Sequence, residues 1–137
     1  MLKFKELCGE LTMTIDDNVV IAQFSGAIDT KLAQHFIGSV EALVAPLNGQ
    51  VWGYVSCSES VDAATPDAEA LFVSAVGRYV QLGCRASAFV LTSPIAIRQM
   101  DRVLKRAGLE DGLTDRLFPS KQEAIKRVKQ LLKGMNA

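Results

Sequence analysis

The chain has 137 residues, 49% of them hydrophobic and 22% charged, with a formal net charge of zero. That is the size of one ordinary domain with a globular balance, and it excludes a disordered tail. The apolar runs fall far short of the ~20 residues of a membrane span, and Met1-Leu2-Lys3-Phe4-Lys5-Glu6 lacks the apolar core of a secretory signal. The expectation is a single cytoplasmic domain over residues 1–137.

Leu7, Gly9, Leu11, Met13 and Ile15 fall at every second position, as a strand with one buried face requires. Asp16-Asp17-Asn18 supplies a turn, and Val19–Phe24 is a β-branched apolar run, so the pair predicts a β-hairpin. After Gly26-Ala27-Ile28-Asp29-Thr30 the period becomes helical, with Ala33, Phe36, Ile37, Val40, Leu43 and Val44 on one face and Pro46 beyond. Asp29 or Thr30 is the N-cap. Val51–Val55 predicts a buried central strand, where core packing accounts for Trp52 and Tyr54.

Thr65-Pro66-Asp67 opens a second helix: Thr65 caps, Pro66 suits the first helical position and Asp67 complements the helix dipole. Leu71, Phe72, Ala75, Val76, Tyr79 and Val80 are its expected inner face, and Gly83 stops it. Ala86–Leu91 predicts a strand, Ser93-Pro94 a third helix through Ala107, and Leu117-Phe118 a short last strand. Ser120-Lys121-Gln122-Glu123 is a capping box that starts a final helix, with Ala124, Ile125, Val128, Leu131 and Leu132 inside. The order is β-β-α-β-α-β-α-β-α. It implies an α/β fold: a single-layer mixed, largely parallel sheet with helices packed on it and an N-terminal β-hairpin.

Familiar catalytic constellations are missing. No glycine-rich run precedes a helix to cradle phosphate, and there is no Gly-x-Ser-x-Gly elbow. His35 is the one imidazole, set between Gln34 and Phe36 on the first helix, so no histidine cluster can form. Cys8, Cys57 and Cys84 are far apart, without a Cys-x-x-Cys pair; they are expected to be buried small hydrophobes, and no disulfide framework, metal or cofactor is called for. The chain reads as a binding protein rather than an enzyme.

Charge is uneven along the sequence. Residues 1–83 hold four Lys or Arg against ten Asp or Glu, and residues 84–137 hold eleven against five. Such polarity steers encounter with a charged partner unless folding interleaves the halves. Arg98, Arg102, Lys105 and Arg106 line one helix face, but without interleaved aromatics a solvated face accounts for them and nucleic acid is not the expected partner.

Gly26-Ala27-Ile28-Asp29 at a strand end, a segment Ser56–Pro66 leading into a helix, Leu82-Gly83, Gly108-Leu109, and Phe118, Ser120, Glu123 and Ala124 occur in a definite order. Over roughly residues 9–132 that order resembles the STAS domains, the bacterial anti-sigma-factor antagonist family. The resemblance implies a STAS-like fold and a cytoplasmic, non-catalytic regulatory module that binds a protein partner, a second copy of the chain being one candidate. It also implies a partner surface at the loop Ser56–Asp67, with Ser58, Glu59, Ser60, Asp62, Thr65 and Asp67 as partner-binding residues. The best-known members carry Asp-Ser-Ser-Gly at the second helix, where a serine is phosphorylated. Here Val61-Asp62-Ala63-Ala64-Thr65-Pro66-Asp67 stands instead, leaving Thr65 as the candidate phosphorylation site or no phosphoswitch at all. The alternative function is the binding or transfer of a small apolar ligand or lipid with peripheral membrane contact, since gaps between sheet and helices could hold one.

Overall fold

The computed structural model describes residues 1–136. Its strands are β1 (Leu2–Lys5), β2 (Gly9–Asp16), β3 (Val19–Ile28), β4 (Trp52–Cys57), β5 (Ser60–Ala64) and β6 (Cys84–Val90). Its helices are α1 (Thr30–Val44), α2 (Pro66–Gln81), α3 (Pro94–Arg106) and α4 (Lys121–Asn136), with a 3-10 turn at Ala45–Leu47 after α1. The strands form one mixed sheet in the order β1-β2-β3-β4-β6, and β5 pairs with β3 beyond the end of β4.

The hairpin is β2–β3, in antiparallel register from Gly9↔Gly26 to Asp16↔Val19. Asp17 takes φ 54° in its turn, a left-handed position that Asp tolerates. Asn18 then stitches the turn to β4, its carbonyl accepting from the Gly53 amide at 2.9 Å and its side chain donating to the Val51 carbonyl at 3.2 Å. β3, β4 and β6 run parallel, as the alternation of strands with α1 and α2 requires.

Alternate β3 residues go to opposite faces. Val20, Ala22 and Phe24 join α1 and α2 in the larger core, whereas Val19 and Ile21 join Val55, Ala88 and Val90 beneath α4. Ala124, Val128 and Leu132 of α4 are buried there. Gly53 lets α4 approach: a Cβ on it would lie 2.3 Å from Val128 Cγ1.

Five sequence expectations need correction. A first edge strand, β1, precedes the hairpin and pairs Leu2–Lys5 with Glu10–Met13; its four residues present little apolar pattern, and Phe4 packs by stacking on His35 at 4.4 Å. Ser56–Asp67 is not one loop, because it holds the end of β4 and all of β5. Leu117-Phe118 makes only a single parallel bridge to Phe89. Cys8 is exposed rather than buried, since it lies in the turn between β1 and β2, outside the sheet's alternation. Cys57 and Cys84 are held by the sheet, and burial raises both thiol pKa values, that of Cys84 to about 12. Val80, expected inside α2, is 40% exposed.

Side-chain caps start every one of the four helices: Asp29 for α1, Thr65 for α2, Ser93 for α3 and Ser120 for α4. Between the two candidates for α1 the structure selects Asp29, whose Oδ1 accepts from the Leu32 amide at 2.9 Å. Thr30 is already the first helical residue. Asp29→Ala is therefore expected to cost about 1 kcal/mol in urea unfolding, and Thr30→Ala only a few tenths. Equal midpoints for Asp29→Ala and wild type would show that this cap carries no stability.

Candidate functional site

Two places expose chemistry to another molecule, an acidic rim at one end of the sheet and a cavity beneath α2. The rim begins where β3 exchanges partners. Its first half pairs with β4 (Ala22↔Ser56 is the last pair) and its second half with β5 (Ser25↔Ser60 is the first). Ser58 bridges the break. Its Oγ accepts from the Phe24 amide at 3.3 Å and lies 2.8 Å from Ser56 Oγ, while its own amide donates to the Val90 carbonyl at 2.9 Å. At 2% exposure Ser58 cannot face a partner; it satisfies backbone groups that the break would otherwise leave bare. That corrects its expected role.

The other expected residues come together on the outside. Glu59, Ser60, Asp62, Thr65 and Asp67 are all exposed. In β5 the alternation is clear: Val61 is buried while Ser60 and Asp62 point outward. Glu59 is positioned by Thr92, whose hydroxyl donates to its carbonyl at 2.8 Å. Thr65 holds the start of α2, its amide donating to the Ile28 carbonyl at 2.9 Å and its hydroxyl accepting from the Ala68 amide at 3.2 Å. Among the described residues none of the carboxylates of Glu59, Asp62 and Asp67 is in an ion pair. Three exposed carboxylates outside any ion pair thus lie just before β5, on β5 and in the first turn of α2.

A buried acid nearby was not foreseen. Glu69, one turn into α2, is only 8% exposed, and Arg102 of α3 grips it with two bonds of 2.5 and 3.1 Å while Arg106 adds a third at 3.2 Å. Arg102 and Arg106 remain on a solvated face, but both are paired to Glu69 rather than free. Their four-residue spacing was the available signal, but only the meeting of α2 with α3 reveals its partner. The Arg102 hydrogen bonds hold the Glu69 carboxyl below the ordinary glutamate range, against an opposing effect of burial. Gln99 on α3 closes the free edge of β5, accepting from the Ala64 amide and donating to the Ala64 carbonyl, each at 2.8 Å.

Beneath α2 and α3 lies a cavity of about 300 Å³, lined from the sheet by Tyr54, Ser56, Ser87 and Phe89 and from the helices by Phe72, Ala75, Tyr79, Ala96 and Met100. Small side chains, Ser56 and Ser87 from the sheet and Ala75 and Ala96 from the helices, are among its lining and leave space there. Close-packed interiors hold few voids larger than a water. Among the described residues no three His, Cys, Asp or Glu side chains gather to hold a metal ion, and no helix is long and apolar enough to cross a membrane.

The Glu69 clamp generates a pH dependence. Glu69→Gln is expected to cost about 1–2 kcal/mol at neutral pH, a figure discounted for the solvent around the two guanidinium groups. With the folded-state pKa depressed, the unfolded chain takes up the proton first as pH falls. The clamp's contribution is therefore complete above the ordinary value of about 4.3 and disappears as pH drops through the lower folded value. Urea unfolding of wild type and Glu69→Gln should converge in acid; a constant gap down to about pH 3 would contradict this account.

No protein-family model matches the sequence, and no curated protein matches it. Solved structures do. An anti-sigma factor antagonist from Mycobacterium paratuberculosis superposes with a TM-score of 0.59 at 22% identity, covering 88% of this chain and 94% of that one. The anti-sigma factor antagonist SpoIIAA in its unphosphorylated form gives 0.61 at 17% identity, with 88% and 96% covered. An uncharacterised Shewanella loihica protein with a SpoIIAA-like fold gives 0.62 at 10% identity, with 91% and 98% covered. Identities this low establish likeness of architecture, and the architecture agrees along nearly the whole chain: its fold is STAS-like, that of the anti-sigma factor antagonists.

Proposed function

We propose that the chain is a non-catalytic regulatory module that binds a protein partner through the acidic rim formed by Glu59, Ser60, Asp62, Thr65 and Asp67. The observation that carries this is the set of three exposed, unpaired carboxylates on β5 and the start of α2. The fold shared with anti-sigma factor antagonists supports a regulatory role. The partner's matching surface is basic, since like charges brought together at an interface are costly. For the same reason a second copy docked rim to rim is disfavoured.

Thr65 is the one hydroxyl placed at the helix start, and it is occupied as the cap of α2. A phosphate there would join Asp67 and Glu69 in the same turn. In this proposal the rim carries its negative charge permanently and needs no phosphoswitch. Intact-mass measurement of the chain isolated from its host should show no added phosphate.

The rim is tested by reversing its charge away from the cap. Glu59→Lys with Asp62→Lys leaves Thr65 and the buried Ser58 untouched, so the unfolding temperature should stay within a few degrees of wild type. Affinity for a partner recovered from host extract with wild-type protein should fall at least tenfold, with a weaker dependence on salt. A folded double variant that keeps wild-type affinity would place the working surface elsewhere.

A further inference from the structure

The cavity under α2 has a feature that packing alone does not explain. Tyr79 lines it and is 6% exposed, yet its hydroxyl has no hydrogen-bond partner, the one such buried side-chain polar atom among the described residues. An unmet buried hydroxyl is costly, and native structures seldom keep one without a reason. Burial raises the Tyr79 pKa far above neutrality, so the group is a neutral phenol able to donate.

The space is sufficient and its walls are selective. About 300 Å³ is roughly the volume of ten liquid waters and the lower end of small-molecule sites. Phe72, Phe89 and Met100 make the walls apolar, which opposes any charged group left without a partner. The one carboxylate in the lining, Glu69, is already taken by Arg102 and Arg106. Val80 and Arg85 are the two exposed residues in the lining, so the mouth lies between the end of α2 and the start of β6. That is the opposite end of α2 from the acidic rim.

We propose that this cavity is a binding site for a small neutral molecule, aromatic or hydrocarbon in body, with one carbonyl-type oxygen that accepts a hydrogen bond from Tyr79. It does not depend on the rim or on any protein partner. A neutral ketone is favoured over a carboxylate of the same shape because the two cations of the lining, Arg85 and Arg116, already donate to the backbone carbonyls of Val80, Cys84 and Gly112.

Three probes of nearly one shape separate the contributions: benzylacetone, butylbenzene without the oxygen, and hydrocinnamate with a carboxylate. Trp52, the chain's one tryptophan, lies 5.8 Å from Tyr79 and reports occupancy through its emission. Benzylacetone is expected to bind wild type with sub-millimolar affinity, and butylbenzene and hydrocinnamate about tenfold more weakly or worse. Tyr79→Phe keeps the shape and removes the hydroxyl. It should bring benzylacetone down to the level of butylbenzene, leave butylbenzene unchanged, and not lower the unfolding temperature. Ser87→Leu, which narrows the cavity from the sheet side, should weaken binding of all three. The proposal is overturned if benzylacetone does not bind wild type at millimolar concentration, or if hydrocinnamate binds as well as the ketone. It is equally overturned if Tyr79→Phe keeps full affinity for benzylacetone while losing stability, the result expected of a hydroxyl satisfied by buried water. Should Tyr79→Phe fail to fold, equal wild-type affinities for benzylacetone and butylbenzene would by themselves refute the hydrogen bond.

Discussion

At Gly26 the backbone of β3 takes φ +73°, and a Cβ there would lie 2.3 Å from the Cys8 carbonyl oxygen. Both facts require glycine: the conformation is left-handed, and the turn between β1 and β2 leaves no room for a side chain. The register between β3 and β5 shifts just after it, between Gly26 and Ile28. This shift falls in the second half of β3, after the strand has exchanged β4 for β5 between Ala22 and Ser25. Immediately beyond, Ile28 accepts from the Thr65 amide and Asp29 caps α1. Four residues therefore fix the end of the sheet, the start of α1 and the position of α2.

The break between β4 and β5 follows from the same geometry. A strand that changes partners exposes backbone groups at the crossing, and Ser58 covers them from inside. The turn it makes brings Glu59, Ser60 and Asp62 to the rim, with Val61 pointing back into the core. Exposure of the carboxylates is thus a consequence of burying Ser58 and Val61 on either side of Glu59 and Ser60. A polar residue hidden as a backbone partner and polar residues offered to solvent look alike in composition, and only their hydrogen bonds separate them.

That limit explains how much was legible beforehand. Helices were readable because each has a side-chain cap and a three-and-four apolar period; the starts of α2, α3 and α4 fell where Thr65, Ser93 and Ser120 placed them. The hairpin and the central parallel strands were readable from alternation and β-branched runs. β1 and β5 were not, since Leu2-Lys3-Phe4-Lys5 and Ser60-Val61-Asp62-Ala63 alternate too briefly around one or two apolar residues. Five of the six expected surface residues are exposed at one place, but Ser58 is not. Glu69 and Tyr79 were invisible as polar features for a different reason. The significance of each lies in what another element does or does not bring to it, Arg102 from α3 in one case and nothing in the other.

α2 stands at the meeting point of these effects. Its first turn carries Asp67 outward, Glu69 reaches sideways to α3, and Ala75 and Tyr79 look down on the cavity. A helix laid over a void forgoes the close packing that fixes most helices to a sheet. Its place must then be set by other means: the Thr65 cap at one end, the Arg102 and Arg106 clamp along its flank, and Gly83 at φ +109° where it stops. Phe72 retains a tight edge contact with Phe36 of α1, the ring centroids 5.6 Å apart, so the N-terminal half is anchored in the aromatic core. Tyr79 in the C-terminal half meets Phe36 and Trp52, with ring centroids 6.1 and 5.8 Å apart, so aromatic contacts at both ends act together with the directional ones to seat the helix around the cavity.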